Sequence, residues 1–152
     1  MHIKHPEIKE EMRNLKVGIF IPILNAEDDL ERLLPRLIDL DPAPSDVLFV
    51  DSSSDDGSPQ KVLDAGFRLH TIKRSEFGHG RTRNLALSMM DCDVVLYLTQ
   101  DAIPVDVKLI EKIILPFQDP KVAHVFARQL AHDDATISAE FSRAFNLSLI
   151  HI

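Results

Sequence analysis

Acids that directly follow apolar runs are the residues in this chain best suited to chemistry. Val94-Val95-Leu96-Tyr97-Leu98 stops abruptly at Thr99-Gln100-Asp101-Ala102, with Pro104 just beyond. Val47-Leu48-Phe49-Val50 runs straight into Asp51-Ser52-Ser53-Ser54-Asp55-Asp56-Gly57-Ser58, and Val17-Gly18-Ile19-Phe20-Ile21 into Pro22-Ile23-Leu24-Asn25. A carboxylate so placed can hold a divalent cation against a phosphate, because Mg²⁺ takes one or two protein carboxylates and completes its shell with substrate oxygens. Asp also turns a chain after a strand, so Asp101 alone leaves both roles open. Gly80-Arg81-Thr82-Arg83-Asn84 opens a helical pattern, and a helix start with unpaired N–H groups suits an anion. Taken singly, Asn25 is explained as a cap, Asp51 and Asp55 as loop acids, and Arg83 as a solvated charge. Together, acids near arginines suit a phosphorylated ligand with a metal between them.

These groups converge only if the elements before them lie side by side. The runs 17–21, 47–50 and 94–98 are too short for ordinary helices, and unbroken apolar runs are the habit of parallel strands buried on both faces. Phe67 to Lys73 alternates well enough for a further strand, and Val122 to Ala127 for another. Between them lie helical patterns. One begins at Asn25 as N-cap and carries Leu30, Leu33, Leu34, Leu37 and Ile38 as one stripe, with Pro35 expected to kink or break it. A second starts at Ser58 with Pro59 as its first residue and stops at Gly66. A third runs from Gly80 through Met90. A fourth, capped by Asp106, carries Val107, Ile110, Ile113, Ile114 and Phe117 and halts near Pro116, and a fifth spans Ala135 to Asn146. Alternating strands and helices predict an α/β fold: a mostly parallel sheet with helices on both faces. In such sheets ligands sit beyond the carboxyl ends of the strands, where all these acids fall.

At 152 residues the chain is one domain's worth, long enough for a real core. A formal charge of −7 argues against a nucleic-acid or anionic-membrane surface. Cys92 is the only cysteine, which excludes an internal disulfide and a cysteine-based zinc cluster. No signal core or membrane-spanning run is present, so the expected location is cytoplasmic, with the full-length protein peripheral at the inner face of the membrane. The missing G-x-G-x-x-G after the first strand disfavours an NAD-linked enzyme.

Four motifs in order, V-G-I-F-I-P-I-L-N, V-D-S-S-S-D-D-G-S, G-H-G-R-T-R-N and Y-L-T-Q-D-A-I-P, resemble glycosyltransferase family 2, whose fold is GT-A (Rossmann-like); the last two look most like its rhamnosyltransferase branch. The resemblance implies a nucleotide-diphosphosugar donor (dTDP-rhamnose or a UDP-sugar), Mg²⁺ or Mn²⁺, and a saccharide or lipid-linked saccharide acceptor in surface-polysaccharide synthesis. It places the base between Pro22–Asn25 and Asp51, and the nucleotide or its phosphates at Gly80, Arg83, Asn84 and Gln100. The metal falls at Asp101. Two departures stand out. Gln100-Asp101-Ala102 has one acid where the family has two or three, and serines replace the family's second acid and glycine after Asp51.

The family's inverting members need a carboxylate base in an E-D type motif, and no segment here matches it; Asp133-Asp134 reads as a solvated loop. No catalytic residue is therefore assigned, and the base is expected beyond the C-terminus. Residues 147–152, Leu-Ser-Leu-Ile-His-Ile, are what the mosaic end of a transposase sequencing adapter encodes. The organisation expected is a polar lead-in over 1–16, the nucleotide-sugar-binding part of a truncated GT-A domain over 17–146, and an adapter artefact over 147–152. That chain would be an inactive piece of an inverting enzyme. A non-catalytic nucleotide-binding module, complete as written, is one alternative. A sugar-nucleotide pyrophosphorylase is the other, though it would carry a glycine-rich basic loop where this chain has Pro22–Asn25.

Overall fold

The computed structural model describes residues 8–127. Their order is α1 (Glu10–Arg13), β1 (Val17–Ile23), α2 (Glu27–Ile38), β2 (Asp46–Asp51), α3 (Ser58–Asp64), β3 (Arg68–Thr71), α4 (His79–Met89), β4 (Val94–Tyr97) and α5 (Leu109–Ile114), with single 3-10 turns at Arg74–Glu76 and Leu115–Gln118. The four strands form one all-parallel sheet in the order β3-β2-β1-β4. The chain winds outward from β1 through β2 to β3, then crosses back to lay β4 on the other side of β1. The winding reverses between β1 and β4, and at that switch point the loops diverge and leave a crevice.

Both faces of the sheet are covered. Ile19, Ile21, Ile23, Val47 and Phe49 pack with the buried leucines of α2, Val62 of α3, and Ile110 and Ile114 of α5. Phe20, Leu48 and Val50 point the other way, onto Ala86 of α4 and Met90. Period-2 alternation in β1 and β2 thus feeds two cores at once.

Several elements differ from the sequence expectation for identifiable reasons. Pro35 does not break α2, which continues to Ile38. It lies on the exposed side, where the carbonyl left without its helical partner reaches water. Ile38 is 61 % exposed, and Leu40 takes the buried place at the helix end. The third and fourth strands are shorter than expected. Although expected to be buried on both faces, β4 is the sheet edge among the described residues, with Val94, Val95 and Leu96 half-buried. Val122 to Ala127 forms no strand: an alternating pattern supplies a face, but a strand also needs a partner edge. Helix α5 starts at Leu109, and Asp106 caps the turn before it by accepting the Lys108 N–H at 2.8 Å. The helix expected over 135–146 lies outside the described residues.

The start of α2 shows how the layers are locked. Ala26, not Asn25, is its N-cap and offers no side-chain oxygen. Its orphan amides are capped from the β2–α3 loop instead. Asn25 N–H donates to Ser54 Oγ at 2.8 Å, Ala26 N–H to Ser58 Oγ at 2.7 Å, and Glu27 N–H to Asp56 Oδ2 at 3.2 Å. Ser58 is therefore no N-cap of its own helix: Gly57 is, and the Ser58 hydroxyl donates to Asp56 Oδ1 at 2.5 Å. Asp56 also accepts the Ser58 N–H at 3.0 Å, so one carboxylate caps α2 and α3 together. Gly57 lets the Glu27 carboxylate lie close against the loop: a Cβ there would fall 2.7 Å from Glu27 Oε1, and the Glu27 side chain would have to swing aside. Gly66 does end α3 as expected, at φ +81°.

Burial opposes ionisation of Asp56, but the hydrogen bonds from Ser58 and Glu27 outweigh it and hold its carboxyl below the ordinary 3.8. A depressed folded-state pKa adds stability above the ordinary range, and that stability is lost as pH falls through the native value. Asp56→Ala is expected to destabilise the chain by about 2 kcal/mol, the loss of a cap at each of two helices. Urea titrations below and above pH 3.8 should also show less acid sensitivity in the variant than in the parent.

Candidate functional site

The register brings the expected groups to one edge of the sheet. Ile23 pairs with Asp51, and Asp51 with Thr71, so β1, β2 and β3 end level. On the other side of β1 the ladder ends sooner, at Phe20 opposite Tyr97, with Leu98 N–H donating to Phe20 O at 3.0 Å. Pro22 explains why. Residues 20, 22 and 24 present their backbone polar groups toward β4, and Pro22 has no N–H to offer. Beyond it β4 peels away into Thr99-Gln100-Asp101 and the switch-point crevice opens.

The residues around that crevice are held differently. Asn25 adopts φ +48°, and its Oδ1 accepts the Asp55 N–H at 2.9 Å. Its carbonyl oxygen thus ties the β1 end to the opposing loop. Asp51 is 1 % exposed, with both carboxylate oxygens accepting Ser54 N–H at 3.2 Å and Oδ1 accepting the Ser54 hydroxyl at 2.5 Å. Ser53 sits at φ +62°, a region costly for a residue with a Cβ. Its hydroxyl donates to Ile72 O at 2.8 Å, and Arg74 braces the same loop through Ser53 O at 3.0 Å and Asp55 at 2.9 Å.

Ser52 is the residue that sequence reasoning missed. It is 2 % exposed, and its Oγ is the one buried side-chain polar atom without a hydrogen-bond partner among the described residues. Leaving a buried hydroxyl unpaired costs about 1–3 kcal/mol. Its backbone N–H is satisfied by Ile23 O at 3.0 Å, so only the side chain is left over. The signal was weak: a serine run after a strand reads as a loop.

Helix α4 begins at the same edge. Its N-cap Gly78 supplies no side chain, so the first-turn amides carry no side-chain cap. A Cβ on Gly80 would meet no protein atom within 4 Å, so glycine here keeps the helix start open rather than relieving a clash. Arg83 is half-buried and donates to His79 O at 3.0 Å, and Asn84 is exposed. Arg81 borders a hollow of about 200 Å³ with Ile72, Glu76, Thr82 and Leu85. A somewhat larger concavity, about 240 Å³, lies at the opposite edge near Arg13, Asp41, Ser45 and Glu111, away from every strand-end acid. Size alone is a poor guide between two such shallow hollows; the chemistry favours the strand-end side.

Asp101 is exposed, and its Oδ1 accepts the Thr99 hydroxyl at 2.5 Å. Among the described residues no protein hydrogen bond takes its second oxygen, and no group of three His, Cys, Asp or Glu side chains could enclose a metal. A cation here would rest on one carboxylate and ligand oxygens, a donor set that Mg²⁺ or Mn²⁺ accepts. Gln100 is held on both sides by the protein. Its Oε1 accepts Leu24 N–H at 3.0 Å and its Nε2 donates to Asp29 Oδ2 at 3.0 Å.

An all-parallel sheet covered by helices on both faces, with its polar edge at the switch point, is an α/β architecture of the GT-A type. Residues 18–149 match Glycosyl transferase family 2, and the chain belongs to that family. It is 35 % identical over 136 residues to the O-antigen chain rhamnosyltransferase RfbN of Salmonella typhimurium, covering 88 % of this chain and 43 % of that protein. It is 42 % identical over 104 residues to the O-antigen chain rhamnosyltransferase WbaN of Salmonella anatum, covering 68 % and 33 % respectively. The chain therefore spans less than half the length of these relatives. Among solved structures it superposes on residues 1–349 of TarS of S. aureus with a TM-score of 0.53 and 26 % identity, covering 59 % of this chain and 28 % of that one. It superposes on the mannosyltransferase PcManGT of Pyrobaculum calidifontis with a TM-score of 0.60 and 24 % identity, covering 71 % and 34 %; that protein was solved with GDP-Man and Mn²⁺. The rhamnosyltransferase-like branch and the fold expected from sequence agree with these findings, and the pyrophosphorylase alternative falls. No helix among the described residues is long and apolar enough to cross a membrane.

Two substitutions separate the loop's architecture from its reserve capacity. Asp51→Ala should lower stability by about 2 kcal/mol, because Ser54 loses the acceptor for both its N–H and its hydroxyl. Ser52→Ala should raise it by about 1 kcal/mol in the ligand-free chain, because the unpaired hydroxyl is removed. Thermal or urea unfolding of the two variants measures both.

Proposed function

We propose that the switch-point crevice binds a nucleoside-diphosphate sugar, and that the whole protein transfers its sugar to a saccharide or lipid-linked saccharide of the cell surface. The observation carrying this is the convergence at one edge of Asp101, Ser52 and the open start of α4 beside Arg81 and Arg83. The diphosphate lies against the first-turn amides of α4, where the helix dipole favours negative charge. Arg83, Asn84 and Gly80 border that position. Mg²⁺ or Mn²⁺ on Asp101 would neutralise the same diphosphate from the β4 side. The two O-antigen relatives favour rhamnose as the sugar, with dTDP-rhamnose the first donor to test and a UDP-sugar the second. Such a reaction belongs on the cytoplasmic side of a membrane, where nucleotide sugars are made.

The base lies between the Pro22–Asn25 turn and the end of β2. Asp51 was the expected reader of its N3–H, but it is buried and both its oxygens already accept from Ser54. The Ser52 hydroxyl has both its donor and its acceptor capacity unused, which matches the alternating edge of uracil or thymine. Asp51 then shapes the loop and Ser52 reads the base.

Two titrations test the proposal. Calorimetry should show that dTDP or UDP binding to the parent needs Mg²⁺ or Mn²⁺, and that Asp101→Asn removes the metal's contribution. Equal affinity with metal and with EDTA would return Asp101 to a turn residue. A neutral hydrogen bond contributes about 0.5–1.5 kcal/mol, so Ser52→Ala should weaken dTDP binding about three- to tenfold. It should also narrow the preference over ADP. A Ser52→Ala protein that still separates pyrimidine from purine diphosphates as the parent does would return that role to Asp51.

A further inference from the structure

Gln100 adjoins the acid at the β4 lip, and both ends of its amide are engaged inside the protein. Its Oε1 takes the Leu24 N–H at 3.0 Å and its Nε2 gives to Asp29 Oδ2 at 3.0 Å. Only one orientation of the amide satisfies both contacts, because Leu24 N–H can only donate and a carboxylate can only accept. Leu24 N–H is also the next ladder position past Pro22 on the side facing β4. A continuing β4 backbone would have met that N–H with a carbonyl; here the Gln100 side chain supplies the oxygen. Its other end ties the same point to the first turn of α2. Asp29, whose side chain is 26 % exposed, is further drawn toward Arg32 at 3.6 Å.

We infer that Gln100 is a positioning residue for Asp101: its amide replaces the missing β1–β4 ladder contact and fixes the Asp101 lip to β1 and α2, and the Asp29 carboxylate is what demands an amide at this position. An acid at 100 would set two carboxylates face to face and lose the donor to Asp29. That accounts in physical terms for an amide rather than an acid at position 100. The metal readout rests on the function proposed above; the anchoring does not.

The test compares Gln100→Ala, Gln100→Glu, and the swap Gln100→Glu with Asp29→Asn. The swap keeps net charge and both contacts, with donor and acceptor exchanged between residues 29 and 100 and Leu24 N–H still donating to residue 100. Mn²⁺ is titrated into each protein in the presence of dTDP by water-proton relaxation, and amide exchange is followed at Leu24 and across 99–102. Gln100→Ala and Gln100→Glu should each weaken Mn²⁺ binding about tenfold, one charge-assisted contact being lost or reversed. Both should speed exchange at Leu24. The swap should restore affinity to within about threefold and restore the protection at Leu24. Rescue by the swap is a result that loss of general stability would not give. If Gln100→Glu binds Mn²⁺ as well as or better than the parent, position 100 is a ligand position and the inference is overturned. If the parent binds dTDP equally with and without Mn²⁺, the functional reading fails, and exchange alone judges the anchoring. Unchanged exchange in Gln100→Ala refutes it.

Discussion

Helix α2 begins with amides that its own sequence leaves uncapped, and the β2–α3 loop caps them from about thirty residues away through Ser54, Asp56 and Ser58. In an isolated peptide those N–H groups would face water and the helix would start poorly. In the fold they hold the end of β1 to the loop after β2. The same side chains then set everything around the crevice. Ser54 engages Asp51, Asn25 engages Asp55, and Arg74 ties the loop onward to the segment after β3. Two non-glycine residues at positive φ, Asn25 and Ser53, lie in this network and are held there by it. Strained backbone persists where surrounding contacts over-determine it, and here the strain borders the proposed ligand.

The opposite wall of the crevice is built by withholding contacts. Pro22 interrupts the β1–β4 ladder, β4 departs early, and Gln100 bridges the gap with a side chain. Among the described residues Asp101 is thereby left exposed with one carboxylate oxygen unpaired, while neighbouring polar groups have protein partners. The distinction between spent and unspent groups defines the site better than residue type does. Asp51, Asn25 and Gln100 each have polar atoms already engaged by protein partners. Ser52 looks like loop filler and keeps its hydroxyl unpaired.

Much of the fold was legible because it follows from local pattern. The β1 and β2 runs, the leucine stripe of α2, Gly66 after α3 and the opening of α4 are read from hydrophobic period and end signals. What was not legible depends on partners distant in sequence. The reassignment of the α2 cap from Asn25 to the 54–58 loop, the exposure of β4 as an edge, and the failure of 122–127 to form a strand all turn on which elements lie adjacent. Motif order placed the candidate residues together on one edge of the sheet. It could not say which of them were already hydrogen-bonded, because Asp51–Ser54 is local but Gln100–Leu24 and Gln100–Asp29 cross the sheet.

The central claim is that nucleotide and metal meet at the β1–β4 switch point rather than at the larger concavity on the opposite edge. Paramagnetic broadening tests this directly: ¹⁵N spectra of the chain are recorded with substoichiometric Mn²⁺, with and without dTDP. The account predicts nucleotide-dependent loss of signal from Leu24–Asn25, Ser52–Ser54, Gly80–Arg81 and Gln100–Ala102, with Asp41, Ser45 and Glu111 untouched. Broadening centred on those last three residues, or broadening indifferent to dTDP, would contradict it.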